Sequence, residues 1–194
     1  MSGATAPDLS LDYRPALLTP DEAGARFALL RDGVAWEQHC VRIAGRRVPC
    51  PRLSAWQGDP GVRYAYSGIA LESRGWQPPV AELRERVERA AGARFNSVLL
   101  QLYRDGADGM GWHADDEPEL GPEPCIASLS LGAPRRFVLR HRRRPELPRH
   151  EIVLGHGSLL VMHGRTQHAW KHALPKTRRP VGPRINLTFR RSGC

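Results

Sequence analysis

The sequence predicts a mainly β protein, an all-β sandwich or jelly roll with helices packed on its outside. Three observations carry that prediction. After Phe95 the chain becomes a series of short apolar runs separated by turn signals. Apolar residues recur at helical spacing in only two windows, both in the first half. Gly 19 and Pro 17 punctuate the 194 residues, which disfavours a bundle of long helices.

The elements follow in chain order. Residues 1–18, rich in Pro and Ala, read as a loose N-terminal arm. Thr19-Pro20-Asp21-Glu22 reads as a helix start, with Thr as N-cap, Pro in the first turn and Glu reaching back. Ala23, Phe27 and Leu30 give that helix an apolar face, and Asp32-Gly33 stops it. From Ile43 to Gly75 the chain alternates short strands with loops, and Tyr64-Ala65-Tyr66 has strand alternation. A second helix is expected from about Pro79 to Ala91, where Val80, Leu83, Val87 and Ala90 share a face and Gly92 follows. The later strands are expected at Ser97–Tyr103, Cys125–Leu131, Arg136–His141, Glu151–Leu154, Ser158–Met162, Ala169–Ala173 and Arg184–Phe189. The Arg-rich stretch from Arg140 to Arg149 reads as an exposed hairpin loop.

Composition narrows the function classes. The net charge is +9, and 27 of the 29 positive side chains are Arg, since Lys171 and Lys176 are the only lysines. Planar guanidinium groups fork onto phosphate oxygens, so phosphate binding is one reading and an Arg-rich host proteome the other. No apolar run approaches the ~20 residues of a membrane span. The N-terminus lacks a basic region followed by an apolar one, so no secretory signal is expected. Cys40, Cys50, Cys125 and Cys194 form no CxxC pair, which fits a reducing cytoplasm better than a disulfide scaffold.

The sharpest local motif is His113-Ala114-Asp115. Residues i and i+2 of an extended chain face the same way, so one imidazole and one carboxylate can point at one ion. His172, 59 residues later on an expected strand, supplies a third ligand, with His163 and His168 as rivals. Two His and one carboxylate leave positions open, as oxygen-activating non-haem iron(II) requires. The last strand adds a second motif. Alternation puts Arg184, Asn186, Thr188 and Arg190 on one face and Ile185, Leu187 and Phe189 on the other. Four polar groups inside a sandwich call for an anion, whereas on an edge strand they would face water.

Together, His113-x-Asp115, His172 and Arg184-x-Asn186-x-Thr188-x-Arg190 resemble the AlkB family of iron(II)/2-oxoglutarate-dependent nucleic-acid dealkylases. Supporting pieces are Tyr103-Arg104-Asp105-Gly106, Ala127-Ser128-Leu129-Ser130-Leu131-Gly132, Phe137-Val138-Leu139-Arg140-His141, His156-Gly157-Ser158 and, in the first half, Arg47-Val48-Pro49 and Tyr64-Ala65-Tyr66-Ser67-Gly68. The likeness covers roughly residues 15–192 and is closest to the branch acting on duplex DNA. It implies a double-stranded β-helix core over 96–194, preceded over 19–95 by helices and a nucleotide-recognition lid.

The resemblance also implies roles. His113, Asp115 and His172 would ligate iron(II), Arg184 would pair with the distal carboxylate of 2-oxoglutarate, and Arg190 would support the carboxylate at the metal. Tyr103, Asn186 and Thr188 would add hydrogen bonds to the cosubstrate. Gln101 stands where the family usually has Asn, one methylene longer. Tyr66 would stack on the target base with Tyr64 and Ser67 near it, and Asp116 or Glu117 would reach the base edge. Ile43-Ala44-Gly45 falls where relatives place a base-replacing wedge, smaller here than their aromatic one. Arg140 is read from charge rather than from the resemblance: with the rest of the Arg140–Arg149 stretch it would contact phosphate, or else lie in a solvated loop. The implied reaction uses oxygen and 2-oxoglutarate to remove N-alkyl groups, of the 1-methyladenine and 3-methylcytosine type, from single- or double-stranded DNA, with RNA open as a substrate. It releases succinate and formaldehyde. A monomer, cytoplasmic and at the nucleoid, is expected. Two rival readings remain: an iron/2-oxoglutarate hydroxylase of a non-nucleic-acid substrate, and a catalytically inactive nucleic-acid binder.

Overall fold

β-branched and apolar residues bounded by Gly and Pro give short strands, and these dominate the chain. In the computed structural model, residues 6–43, 45–66, 69–72 and 75–193 are described. The order is β1 (Ser10–Arg14), α1 (Pro20–Gly33), β2 (Cys40–Ile43), β3 (Arg46–Pro49), β4 (Leu53–Gly58), β5 (Arg63–Tyr66), β6 (Ile69–Glu72), α2 (Pro78–Ala91), β7 (Ser97–Tyr103) and β8 (Met110–His113). It continues with β9 (Ile126–Gly132), β10 (Arg135–His141), β11 (His150–Leu154), β12 (Ser158–His163), α3 (Thr166–Ala169), β13 (Trp170–Leu174) and β14 (Arg184–Arg190).

One sheet has six strands in the order β1-β12-β9-β14-β7-β4, and a second has four, β11-β10-β13-β8. The hairpins β2–β3 and β5–β6 stand apart from both. The non-consecutive strand order of two antiparallel layers is the jelly-roll arrangement the sequence predicts. The Arg-rich stretch between β10 and β11 is an exposed hairpin connection, as expected.

Two apolar layers fix these sheets. Tyr103, Ile126, Leu160 and Met162 of the six-stranded sheet meet Phe137, Leu139, Leu154, Trp170 and Leu174 of the other, which makes the sandwich interior. On the far face of the six-stranded sheet, Leu129, Ile185, Leu187 and Phe189 pack against Ala23 and Leu30 of α1 and Val80, Leu83 and Val87 of α2. The helices begin where their caps dictate. Thr19 Oγ1 accepts from the Glu22 amide while the Glu22 carboxylate accepts from the Thr19 amide, closing a capping box. Gly92 ends α2 in the left-handed region that glycine enters without strain.

The loose arm expected over 1–18 is a correction. Its residues 10–14 form β1, which pairs with β12 over Ser10↔His163 to Arg14↔Leu159. Leu9 is buried beneath it and Ser10 N–H donates to Thr166 Oγ1 at 2.9 Å. A strand with mixed polarity at a sheet edge carries little local signal, and its partner lies far along the chain. No helix among the described residues is long and apolar enough to cross a membrane.

Candidate metal and cosubstrate site

The site is built by strand register. β8 and β13 pair antiparallel with His113 directly opposite His172. Their rings meet edge to face, centroids 4.2 Å apart. Asp115, two residues past His113, completes a group whose ligand atoms lie within 4.8 Å of one another. His163 and His168, the rivals for third ligand, are not part of it.

Each ligand is held in the state that a metal needs. The His113 ring nitrogen Nδ1 lies 2.9 Å from the Gly111 carbonyl. A carbonyl only accepts, so Nδ1–H donates and Nε2 is left with its lone pair. Burial, with the His113 charge adding to it, pushes the His172 pKa down to about 3, so the ring is neutral at ordinary pH. Burial also lowers the His113 pKa. For Asp115, burial works to raise the pKa. The Arg190 guanidinium, then His172 and His113, override it and hold the carboxyl at about 2. Arg190 Nη2 donates to Asp115 Oδ1 at 2.7 Å. Gln167 on α3 accepts the Asp115 backbone N–H at 3.0 Å, which fixes the loop after β8.

Beside this group lies a two-sided cavity. Gln101, Tyr103, Ser128, Arg184, Asn186, Thr188 and Arg190 form its polar wall, all from the six-stranded sheet, and Met110, Phe137, Leu154 and Leu174 are among its apolar residues. β14 is central, between β9 and β7, so its polar face cannot be a solvated edge. It points into the sandwich and must be satisfied there. Arg184 Nη2 donates to Ser130 Oγ and Asn186 Oδ1, each at 2.8 Å, and Asn186 Nδ2 donates to Thr188 Oγ1 at 2.7 Å. Tyr103 donates its hydroxyl to Gln101 Oε1 at 3.0 Å, while its ring lies 5.3 Å from the Arg184 guanidinium.

These bonds leave a remainder. Arg184 is 2% exposed, and burial lowers its pKa to about 10. No carboxylate pairs with it among the described residues, and its Nε has no partner. The Gln101 amide Nε2 is likewise buried without a partner. An unpaired buried cation and an orphaned donor in one cavity fit a ligand carboxylate, and the neighbouring group of neutral imidazoles and a carboxylate fits iron(II).

All nine residues expected at the metal and the cosubstrate therefore line one cavity. The residues expected at the base are distributed differently. Asp116 forms an ion pair with Arg142 at 2.7 Å. Glu117 has a buried carboxylate oxygen without a partner, and burial raises its pKa. Arg140 is exposed over the Trp112 ring. Ser67 and Ala44 lie outside the described residues, as do the side chains of Ile43, Tyr64 and Tyr66. Ser128 and Ser130, part of a family motif above but without a role there, bond to Asn186 and Arg184, and Gln167 joins the site unannounced. Alternation along β9 places the two serines on the inner face, a signal that was there to read. Gln167 carries none.

A neutral-imidazole and carboxylate face with open positions, set beside an Arg-lined cavity between two antiparallel sheets, is the layout of a mononuclear non-haem iron oxygenase. The sequence model of the 2OG-Fe(II) oxygenase superfamily matches residues 10–190. Alpha-ketoglutarate-dependent dioxygenase alkB homolog 3 from Homo sapiens is 41% identical over 184 residues, covering 91% of this chain and 64% of that protein. DNA oxidative demethylase ALKBH2 from Mus musculus is 41% identical over 195 residues, covering 96% of this chain and 81% of that protein. The chain thus spans just under two thirds of the length of the first of these relatives and about four fifths of the second. A solved structure of OsALKBH1 superposes with a TM-score of 0.69 at 17% identity, covering 97% of this chain and 100% of that one, a likeness of fold. The chain belongs to the 2OG-Fe(II) oxygenase superfamily, in its AlkB branch.

Proposed function

We propose that the chain is an iron(II)- and 2-oxoglutarate-dependent dioxygenase that removes N-alkyl groups from bases of DNA. The observation that carries the reading is Arg184, a buried cation with no carboxylate partner among the described residues, in the same cavity as His113, Asp115 and His172. The relatives named as alkB homolog 3 and DNA oxidative demethylase support the substrate class, and so does the net charge of +9.

His113, Asp115 and His172 would hold the metal. Arg184 would take the distal carboxylate of 2-oxoglutarate, with Gln101, Tyr103, Asn186 and Thr188 around it, and Arg190 would keep Asp115 ionised and oriented. With iron(II), 2-oxoglutarate and oxygen bound, the centre supplies the oxidant that hydroxylates the N-alkyl carbon, giving succinate, carbon dioxide and, from a methyl group, formaldehyde. The protein's part is placement. The Arg184 network aims the cosubstrate, the Asp115–Arg190 bond sets the carboxylate angle, and the apolar wall from Met110 to Leu174 excludes water. A methyl group on the pairing edge is hidden in a duplex, so the base must be extruded or single-stranded, at a cost of about a few kcal/mol that a lesion lowers. The same reading takes the protein as a monomer in a reducing, cytoplasmic setting. Free thiols at Cys40, Cys50 and Cys125 support this, as does the scarcity of exposed large apolar side chains among the described residues: Leu29, Val48 and Val153.

The test incubates iron-loaded protein with 2-oxoglutarate, ascorbate and air on 1-methyladenine and 3-methylcytosine oligonucleotides, single- and double-stranded, in DNA and RNA. Mass spectrometry should show loss of the mass of one methylene. Asp115→Ala should abolish the loss while oligonucleotide binding survives. Succinate formed without demethylation would overturn the substrate class and favour a hydroxylase of another substrate.

A further inference from the structure

The Arg-rich strand and loop are not uniformly available to a ligand. Arg136 pairs with Glu151 at 3.1 Å, and Arg142 with Asp116 at 2.7 Å. Arg140 and Arg149 have no carboxylate in reach among the described residues, although both are exposed. Both converge instead on one ring. The Arg140 guanidinium lies 4.3 Å from the centroid of Trp112 and that of Arg149 lies 5.7 Å from it. A third cation, Lys171, stands directly opposite Arg140 across the β10–β13 pairing. Like charges directly opposite in a sheet are unfavourable. The cluster therefore carries a standing repulsion that an anion would relieve.

A guanidinium stacked on indole loses much of its rotamer freedom beforehand while its N–H edge stays open for two parallel bonds to a phosphate. Trp112 immediately precedes His113 in β8. The ring that gathers the two arginines is thus tied to the strand that carries a candidate metal ligand. We infer that Trp112 is a positioning residue that holds Arg140 and Arg149 as a preordered clamp for backbone phosphates of the nucleic acid beside the target base. This rests on the nucleic-acid reading above. It distinguishes the clamp arginines from Arg136 and Arg142, whose charge is already spent on Glu151 and Asp116.

The test is fluorescence anisotropy of an unmodified single-stranded oligonucleotide over a salt series. If two phosphate contacts are lost, the slope of log affinity against log salt falls by about 1.4, at roughly 0.7 per phosphate for a single strand. Trp112→Ala should show that fall, with affinity about tenfold weaker at low salt. The surface double variant Arg140→Gln/Arg149→Gln should show the same fall, and it tests the two phosphate contacts even if Trp112→Ala folds poorly, in which case Trp112→Leu reads the positioning role. Trp112→Phe keeps a π face and should restore most of the slope, which a merely structural tryptophan would not predict. Arg136→Gln should leave the slope as it is. An unchanged slope in both Trp112→Ala and the double variant, with wild-type binding intact, would overturn the clamp alone. Absence of oligonucleotide binding by the unsubstituted protein would overturn the nucleic-acid reading with it.

Discussion

Arg190 donates to Asp115 Oδ1 at 2.7 Å, and both side chains are only 6% exposed. This bond ties β14, the strand of the cosubstrate wall, to the carboxylate of the metal group. The two halves of the site are thereby one electrostatic unit. Arg190→Met should strand a buried carboxylate and cost the ligand-free protein about 3–5 kcal/mol. A divalent metal binding there would neutralise the stranded charge, so added Fe(II) or Mn(II) should raise the melting temperature of the variant more than that of the wild type. Equal metal-induced shifts would mean that the two residues are neighbours without coupling.

Arg184 poses the opposite case, since its partner is a ligand rather than a protein carboxylate. Arg184→Met should leave the ligand-free protein at least as stable, because a buried unpaired cation is replaced by an apolar chain. Its 2-oxoglutarate requirement should rise by about tenfold to a hundredfold, the size of one charged hydrogen bond of about 1.5–3 kcal/mol. Succinate formation against cosubstrate concentration measures this, and an unchanged requirement would remove Arg184 from the clamp.

Gln101 offers its buried Nε2 to the same cavity. Gln101→Leu forfeits the bond from Tyr103 but also removes the orphaned donor, so stability should change by less than about 1 kcal/mol. The half-saturating 2-oxoglutarate concentration should rise about tenfold, as expected for a lost carboxylate contact. If stability falls steeply while cosubstrate use is normal, Gln101 serves the fold through Tyr103 instead.

Asp108 links stability to pH away from the metal. Burial works to raise its pKa, but Arg104, through its guanidinium and its backbone N–H, and then Lys176 hold it below the usual carboxylate range. A depressed folded-state pKa adds stability that is complete above the unfolded carboxyl value of about 3.9 and is lost as pH falls through the folded one. Asp108→Asn should therefore be less stable at neutral pH by about 1.5–3 kcal/mol, with the gap closing in acid. Urea unfolding at several pH values reads it, and a gap constant with pH would assign the loss to packing.

Much of this was legible beforehand because the signals are local. β7 spans the expected Ser97–Tyr103, and β9 to β14 fall within about one residue of their apolar runs. The Thr19 capping box and the Gly92 stop were readable from residue types four apart or less. β8 has no such local signal: Met110-Gly111-Trp112-His113 is too short and too mixed to announce a strand, and the pairing with β13 holds it in place. β1 lacks one for the same reason, since its partner β12 lies about 150 residues away.

By itself, the sequence determined which side chains share a face: period-two alternation made Arg184, Asn186, Thr188 and Arg190 one polar row, and spacing made His113 and Asp115 a pair. Only the tertiary structure decided what that row confronts. Sheet order put β14 in the centre rather than at an edge, which turned four polar groups from a solvated surface into a cavity wall. Register chose His172 over His163 and His168 by setting it opposite His113. Ion pairing set Arg136 and Arg142 aside, and the Trp112 ring gathered Arg140 and Arg149. Alternation is a property of one strand's own geometry, whereas order, register and pairing are relations between segments far apart in the chain, set by the burial of the whole sandwich.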